Sequence, residues 1–354
     1  MDGPKAILFG LLTLQMYSVA DVIVSLVKNS WPITDEDLTT RLQTLIANVS
    51  SLASLYLTAL QVSRLRQVRH TMCPAAADGI PGAQGQQSVD CHRYTWVIVT
   101  IIGYTYLKWA QVSDQVDGGW YKVTAAVLTR TIAVTVNCYV INLFIDHVVL
   151  AKRLLKALNT RVENLYGLTA PYVYVGNDIS TIRSAYIDIR DACIMIMQVF
   201  QTQLFLNIAG NMYGITFMML TAFNQLMSDK IDSFYITLSC LYESIVRAFQ
   251  LYFMVNACYT TAEQANQISI TLQQKVNEFY LSSYARKKVQ LFILEMLDLK
   301  TEFIIYGFIR IDFEKFVSLM GSISTYLLIL VQFRSSPDSM VKLNETTTTT
   351  ESNN

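Results

Sequence analysis

The chain has 354 residues, of which 52% are hydrophobic and only 15% are charged, and its mean hydropathy is +0.33. A soluble domain carries about 25% charged residues, so this composition excludes an ordinary soluble domain and indicates a helical membrane protein. The 27 basic and 27 acidic residues cancel, which excludes the basic surface that nucleic-acid binding requires.

Apolar stretches long enough to cross a lipid bilayer recur along the chain. A transmembrane helix needs about 20 mostly apolar residues, because the hydrocarbon core is roughly 30 Å thick. The predicted spans are residues 6–26, 41–64, 94–112, 123–145, 192–228, 236–256 and 316–333. The first span has no cleavage site of a signal peptide, so we expect it to be retained. The pattern therefore predicts an all-α integral membrane protein with seven transmembrane helices.

The distribution of basic residues predicts the orientation of these helices. The connections after the second, fourth and sixth spans are rich in Lys and Arg, whereas the opposite connections are acidic or balanced. Cytoplasmic loops carry this basic excess. We therefore expect an intracellular N-terminus and an extracellular C-terminus, the reverse of a G-protein-coupled receptor. Asn344 lies in a sequon of the tail that we place outside, so it is a candidate glycosylation site.

Cysteine and histidine residues give little indication of a metal site. Under the predicted topology the six cysteines lie in spans or cytoplasmic loops, where thiols stay reduced. His70, Cys73, Cys91 and His92 could be combined into a zinc site, but their spacing matches no common zinc finger. A flexible cytoplasmic loop is the favoured interpretation, and we expect neither a metal nor a cofactor.

The end of the seventh span carries the most specific motif of the chain. It consists of Thr325-Tyr326, five hydrophobic residues and Gln332-Phe333. This pattern resembles the signature of insect gustatory receptors. Residues 307–312 also look like that family's turn between two halves of a seventh helix. The resemblance covers most of the chain in layout, but only its C-terminal region in motif.

The resemblance implies a tetrameric, ligand-gated, non-selective cation channel of the plasma membrane, since gustatory receptors are similar to insect odorant receptors. It implies that residues 1–288 form helices one to six, with a ligand pocket and cytoplasmic extensions that anchor the tetramer. Residues 289–333 would form a split seventh helix with an anchor half and a pore-lining half. Residues 334–354 would form a mobile extracellular tail. A homotetramer and a heterotetramer with related receptors both remain open.

Charged segments with helical apolar spacing offer material for the implied anchor. Residues 151–165 and 182–197 keep that spacing while carrying charges, as water-exposed helical extensions do. Asp146 and His147, at the cytoplasmic end of the fourth span, are expected to be exposed. A further apolar stripe with helical spacing is predicted to pack against the rest of the protein, and it consists of Val289, Phe292, Ile293 and Met296.

A polar side chain near the end of the seventh span is consistent with a pore. An intramembrane Gln is costly against lipid, so Gln332 should face protein or water. A ring of such amides would line the channel axis, and Phe333 could close it by dewetting. Alternatively, Gln332 only reaches towards the membrane interface. The predicted pore and gate residues are Gln332, Phe333, Leu328, Thr325 and Tyr326.

The implied ligand pocket lies in the extracellular half of each subunit, between helices two and six. Aromatic side chains there could stack on a ligand, and Arg130 could hydrogen-bond to it. Packing or interfacial roles are the simpler alternative for any single aromatic residue. Glu243 and Arg247 are four residues apart and are expected to form a structural pair. The predicted ligand-binding residues are Arg130, Trp109, Tyr104, Tyr213 and Tyr242.

Other seven-helix or membrane functions lack their motifs. A G-protein-coupled receptor would show Asp-Arg-Tyr after its third span, and a transporter often has helices interrupted by Gly or Pro, whereas the prolines here are predicted to lie in loops. Three histidines, none deep in a span, do not suggest an intramembrane enzyme. The chain is therefore predicted to be a taste receptor channel for a small molecule and not an enzyme. A non-channel chemoreceptor that signals through a partner is the alternative. Leu327 stands where sugar-sensing members carry Glu, which disfavours sugars.

Overall fold

A computed structural model describes Ala20 and residues 35–77, 91–113, 120–165, 172–227, 233–278 and 283–334. Within these ranges the chain is nearly all helical. The helices are α1 (Asp35–Ala77), α2 (Cys91–Ser113), α3 (Trp120–Leu165), α4 (Tyr172–Leu226), α5 (Ser233–Glu278), α6 (Ser283–Asp298) and α7 (Phe313–Arg334). Helices α1 to α5 correspond to the second to sixth predicted spans, and α7 corresponds to the seventh. Asn344 and the first span, except Ala20, lie outside the described residues.

Several helices are much longer than a bilayer is thick. Helix α4 has 55 residues, which at a rise of 1.5 Å per residue gives about 80 Å. By length and composition, three helical segments of the described residues could cross a membrane, namely Thr131–Asn164, Asp178–Leu226 and Phe313–Gln332. Helix α1 continues through Pro74 to Ala77, so a proline that we expected in a loop lies in a helix instead.

The core lies where α3, α4 and α5 pack together. Phe144 of α3 meets Phe200 of α4 edge to face, with ring centroids 5.5 Å apart. The buried positions of α3 then recur every three or four residues, which places one apolar face of the helix against its neighbours. These positions are Val148, Ala151, Leu155, Leu158 and Val162. The predicted charged extension 151–165 is therefore helical, with its apolar face buried.

One expectation for this region was wrong. His147 was expected to be exposed at the end of a span, but it is buried, with only 6% of its surface exposed. Its Nδ1 lies 2.7 Å from the carbonyl oxygen of Leu143, and its ring packs beside Phe200. The reason is that α3 continues far beyond the predicted span, and His147 falls on the face that carries Phe144 and Val148.

The apolar stripe of α6 packs as predicted. Val289, Phe292 and Met296 are buried, and Phe292 contacts Tyr186 of α4 edge to face at 6.0 Å. Beside the stripe, Arg183 of α4 donates two hydrogen bonds to Glu295, of 2.6 and 2.9 Å. Residues 182–197 and 289–296 thus form one contact between α4 and α6.

A small β-hairpin separates α6 from α7, so the structure departs from the all-α prediction at this point. Strand β1 (Ile304–Ile305) pairs antiparallel with β2 (Ile309–Arg310). The connecting turn contains Tyr306 and Gly307 at φ of 50° and 78°, and glycine adopts such positive values without strain. The predicted turn at residues 307–312 overlaps this hairpin.

The hairpin is held against α4 and leads directly into α7. The hydroxyl groups of Tyr306 and Thr202 share a hydrogen bond of 2.7 Å, and the Tyr306 ring packs edge to face on Phe205. After the hairpin, the carboxylate of Asp312 accepts a hydrogen bond of 2.8 Å from the backbone N–H of Lys315. Asp312 therefore caps the N-terminus of α7, as short polar side chains commonly do.

Helix α7 packs loosely on the rest of the subunit. Among its residues whose side chains are described, 313–332, only Ile323 is buried. Large apolar side chains such as Val317, Tyr326 and Leu328 are exposed instead. An exposed apolar surface of this kind is typical of a contact with lipid or with another protein chain.

Candidate functional site

Helices α1 to α5 line a partly open cavity of about 60 Å³. A buried water needs about 10–15 Å³ of such space, so the cavity has room for about four to six waters. Amide, hydroxyl and charged side chains lie in its wall, and most of the wall surface between them is apolar. The polar and charged lining residues are Ser50, Tyr104, Asn137, Asn207, Asn211, Tyr213, Glu243, Arg247 and Gln250.

A charge pair forms one side of the cavity. The Nη2 atom of Arg247 lies 2.6 Å from Oε1 of Glu243, and the two side chains are only 18% and 6% exposed. This contact confirms the pairing predicted from their spacing on α5. Burial of one charge alone would be costly, whereas a close partner offsets part of the desolvation penalty of both.

The pair is extended by two amides of α4. The Nη1 atom of Arg247 donates to Oδ1 of Asn211 at 3.4 Å, and Nδ2 of Asn211 donates to Oδ1 of Asn207 at 2.7 Å. Asn207 and Asn211 are one helical turn apart, so both point to the same side of α4. The result is a row of polar groups that runs from Glu243 on α5 to Asn207 on α4.

Two glycines of α4 also line the cavity, and their surroundings differ. A Cβ atom on Gly214 would lie 2.7 Å from Nη1 and 2.8 Å from Cζ of Arg247, whereas a Cβ atom on Gly210 would meet nothing within 4 Å. The absence of a side chain at Gly214 therefore allows the guanidinium group to sit against the backbone of α4. Gly210 serves no comparable contact among the described residues.

The structure brings two of the five predicted ligand-binding residues to this cavity. Tyr104 of α2 is buried in its wall, and Tyr213 of α4 lines it while stacking on Phe217, with ring centroids 6.2 Å apart. Tyr104 and Tyr213 therefore belong to the wall of one cavity.

The other three predicted residues lie elsewhere. Tyr242 donates a hydrogen bond of 3.4 Å to the carbonyl oxygen of Thr100 and packs against Gly103, so it joins α5 to α2. Trp109 is exposed on α2. Arg130 lies within α3, but its side chain is outside the described residues. In the described structure, Tyr242 and Trp109 are therefore not part of the cavity wall.

A smaller, mostly apolar cavity of about 30 Å³ adjoins the first. Cys138, Val246 and Gln250 line both cavities. Ile141, Ile145 and Phe253 complete much of the second wall. The polar cavity therefore continues between α3 and α5 into a region that favours apolar atoms.

The predicted pore residues lie on the outer surface of α7. Gln332, Thr325, Tyr326 and Leu328 are exposed, and Thr325 satisfies its hydroxyl by donating to the carbonyl oxygen of Gly321 at 3.0 Å. The side chain of Phe333 is outside the described residues. One helix cannot form a pore by itself. These residues lie on a surface of α7 that the described part of the chain does not cover.

Sequence reasoning missed the amides and glycines of α4 at the cavity. Asn207 and Asn211 lie in a charge-free apolar stretch, where an amide is expensive unless it faces protein or water. Their four-residue spacing was therefore a usable signal. Within the described part of the chain, no group of three or more His, Cys, Asp or Glu residues could hold a metal ion.

Comparison with solved structures shows that the chain has the fold of an insect olfactory receptor. The olfactory receptor OR5 from Machilis hrabei has a TM-score of 0.69 at 11% sequence identity, and the match covers 91% of this chain and 88% of that receptor. The same receptor in complex with eugenol has a TM-score of 0.59 at 12% identity, with the same coverage.

Comparison of amino-acid sequences also finds similarity to chemosensory receptors. The gustatory and pheromone receptor 32a of Drosophila melanogaster is 26% identical over 162 residues, which span 44% of this chain and 32% of that receptor. The family model described as 7tm chemosensory receptor matches residues 35–336. That match covers most of the chain, including all seven described helices, and it confirms the resemblance first noted at the C-terminal motif. The chain belongs to the 7tm chemosensory receptor family.

Proposed function

We propose that the chain is a subunit of a ligand-gated cation channel in the plasma membrane, and that it responds to a small-molecule tastant. The observation that carries this proposal is the surface of α7. This helix is long and apolar enough to cross a membrane, yet it buries only Ile323 among its described side chains. Such a helix is suited to surround an axis together with its copies.

The polar groups of α7 support a pore on this surface. Thr325 and Gln332 are exposed on a largely apolar helix, as are Ser318, Ser322 and Ser324. Intramembrane polar groups normally face protein or a water-filled space. In a homotetramer or a heterotetramer, equivalent helices would place these groups along a shared axis. The proposed topology of the channel subunit has seven membrane crossings, a cytoplasmic N-terminus and an extracellular C-terminus.

The polar cavity among α1 to α5 is the proposed ligand site. It is lined by several helices and combines aromatic with hydrogen-bonding side chains, as small-molecule sites commonly do. A receptor of the same fold has been solved in complex with eugenol, which supports a small organic ligand. Tyr104 and Tyr213 are the predicted residues that we keep for this site, and Arg247 is added.

The first experiment tests orientation and needs no ligand. An epitope placed after Asn354 should be stained on intact cells, and glycosidase digestion should reveal whether Asn344 carries a glycan. Staining only after permeabilisation, despite surface expression shown independently, would contradict the extracellular C-terminus and the pore assignment that depends on it.

The second experiment tests the pore directly. Cysteine placed at Gln332 or Thr325 should make ligand-evoked current sensitive to a positively charged, membrane-impermeant thiol reagent. Cysteine at Ile323, which faces the interior of the subunit, is the matched control and should stay insensitive. Ligand-evoked signalling without any current would favour the non-channel chemoreceptor that acts through a partner.

A further inference from the structure

The charges of the polar cavity balance. Among its described lining residues, only Glu243 and Arg247 carry a formal charge, and they contact each other at 2.6 Å. The other polar lining groups are hydroxyls and amides. The wall therefore presents hydrogen-bonding groups of both kinds but no net charge.

A charged ligand would disturb this balance. A carboxylate that approached Arg247 would compete with Glu243, and an ammonium or amidinium group that approached Glu243 would compete with Arg247. Either event leaves one charge with a weakened partner, which is unfavourable because both side chains are largely buried. An uncharged ligand avoids this cost.

The cavity still has hydrogen-bonding capacity to offer. A guanidinium group carries five N–H donors, and Arg247 makes hydrogen bonds to Glu243 and Asn211, of which the second is long. Its Nε atom and the Oδ1 atom of Asn137 make no hydrogen bond to any described residue, but both atoms are fully buried and do not face the cavity. The donors and acceptors that a ligand can reach are the guanidinium group of Arg247 and the amide and hydroxyl groups of the other lining residues.

We propose that this cavity selects small uncharged molecules that carry both a hydrogen-bond donor and an acceptor, such as amides and alcohols, over carboxylates and cations of the same shape. The proposal rests on the proposed function of the cavity as the ligand site. Arg247 is the donor that contacts the ligand, and Gly214 is the residue that gives its guanidinium group room.

Three probes of one shape test this selectivity. Acetamide, acetate and acetamidinium share the same heavy-atom framework and differ in charge, and they are small enough for a cavity of about 60 Å³. Their binding to the full chain in lipid nanodiscs can be measured by saturation-transfer NMR. Acetamide should bind about tenfold more tightly than either ion. Undetectable acetamide binding, or equal or tighter binding of an ion, would overturn the proposal.

Charge substitutions should switch the preference. Glu243→Gln leaves a net positive wall and should favour acetate, whereas Arg247→Gln leaves a net negative wall and should favour acetamidinium. The double variant restores neutrality and should return the preference to acetamide. An unchanged order of the three probes in both folded single variants would contradict the proposal.

A glycine pair covers the case in which the charge variants fail to fold. Gly214→Ala would push the guanidinium group out of place, because the new Cβ atom would lie 2.7 Å from Nη1. It should weaken acetamide binding by roughly tenfold, as loss of a charged hydrogen-bond donor does. Gly321→Ala, on α7 and outside the cavity wall, adds a Cβ atom that meets nothing within 4 Å and should leave binding unchanged. Equal effects of the two substitutions on acetamide binding would show that Arg247 does not contact the ligand.

These results are separable from those for the channel. Selective acetamide binding to a protein that passes no current under any ligand would refute the channel and leave the cavity inference standing. A ligand-gated current combined with no effect of Gly214→Ala on probe binding would leave the channel standing and refute the inference.

Discussion

Helices α4 and α7 are both apolar enough to cross a bilayer, yet they meet their surroundings in opposite ways. In the most apolar window of each helix, 56% of α4 is buried inside the subunit but only 6% of α7. The polar groups follow the same division. Gln203, Asn207 and Asn211 of α4 are buried, whereas Thr325 and Gln332 of α7 are exposed. Amides of α4 donate hydrogen bonds to groups within the chain, whereas the amide of Gln332 lies on the exposed surface of α7.

The largest expected effect on stability concerns the buried charge pair beside α4. Arg247→Met should destabilise the protein by about 3–5 kcal/mol, because it leaves Glu243 buried without its cationic partner. Thermal or denaturant unfolding in detergent micelles would measure the loss. The double variant Glu243→Gln/Arg247→Met removes both charges and should recover most of the stability. A single variant as stable as the parent would show that the pair is hydrated in the folded protein.

A pair of matched amide substitutions probes the difference between the two helices. Gln203 donates to Oγ1 of Thr58 at 3.0 Å, so Gln203→Leu should cost about 1 kcal/mol through loss of a buried hydrogen bond. Gln332→Leu, on the exposed surface, should change stability by less than about 0.5 kcal/mol but alter ligand-evoked conductance. Unfolding of both variants, together with patch-clamp recording, would measure this. A larger loss of stability in Gln332→Leu than in Gln203→Leu would contradict the distinction between the buried surface of α4 and the exposed surface of α7.

The start of α7 offers a smaller effect. Asp312→Ala removes the side chain that caps Lys315 and should destabilise the first turn of α7 by about 1 kcal/mol. Hydrogen exchange of the amides in that turn would report faster opening. Asp312→Asn keeps the capping oxygen without the charge and should stay close to the parent. Protection unchanged in the alanine variant would mean that packing alone holds this end of the helix.

The smallest effect is a pH dependence at the contact between α4 and α6. The hydrogen bonds from Arg183 lower the pKa of Glu295 below its ordinary value. A carboxylate with a lowered pKa stabilises the folded state at neutral pH, and this contribution fades as pH falls below about 4.3 through the lowered value.

Because both side chains are partly exposed, solvent and salt screen this pair, and its contribution should be at most about 1 kcal/mol. Melting temperatures at neutral and acidic pH, compared between the parent and Glu295→Gln, would isolate it. The variant should show a weaker loss of stability on acidification. Equal slopes in the two proteins would remove Glu295 as a source of the pH dependence.

Sequence patterns predicted those parts of the fold in which charge marks the outer face of a helix. The stripe of Val289, Phe292 and Met296 stands out because charged residues flank it. The cavity face of α4 could not be predicted in the same way, since a charge-free helix shows no polar side. His147 was misjudged because its polarity suggested exposure, although the helix continues and turns this residue towards the core.

The same limit explains the partial prediction of the site. Tyr104 and Tyr213, chosen for their aromatic character, line the cavity, and their role in ligand binding stays a prediction. Gly214 was not chosen, since its role depends on where a guanidinium group of another helix lies. Trp109 and Tyr242 share the same depth and chemistry, and only the rotation of their helices takes them away from the cavity. Rotation of one apolar helix against another depends on tertiary packing that a single sequence does not display.

Helix α4 lies between the cavity and the β-hairpin. Asn207 stands on the cavity side, while Thr202 and Phe205 hold Tyr306 of the hairpin on another side. Asn207 lies five positions after Thr202, which is about 7.5 Å along the helix axis. Because both residues belong to one unbroken helix, we expect a movement of this part of α4 at the cavity to move the surface on which Tyr306 packs, at the point where the chain turns into α7.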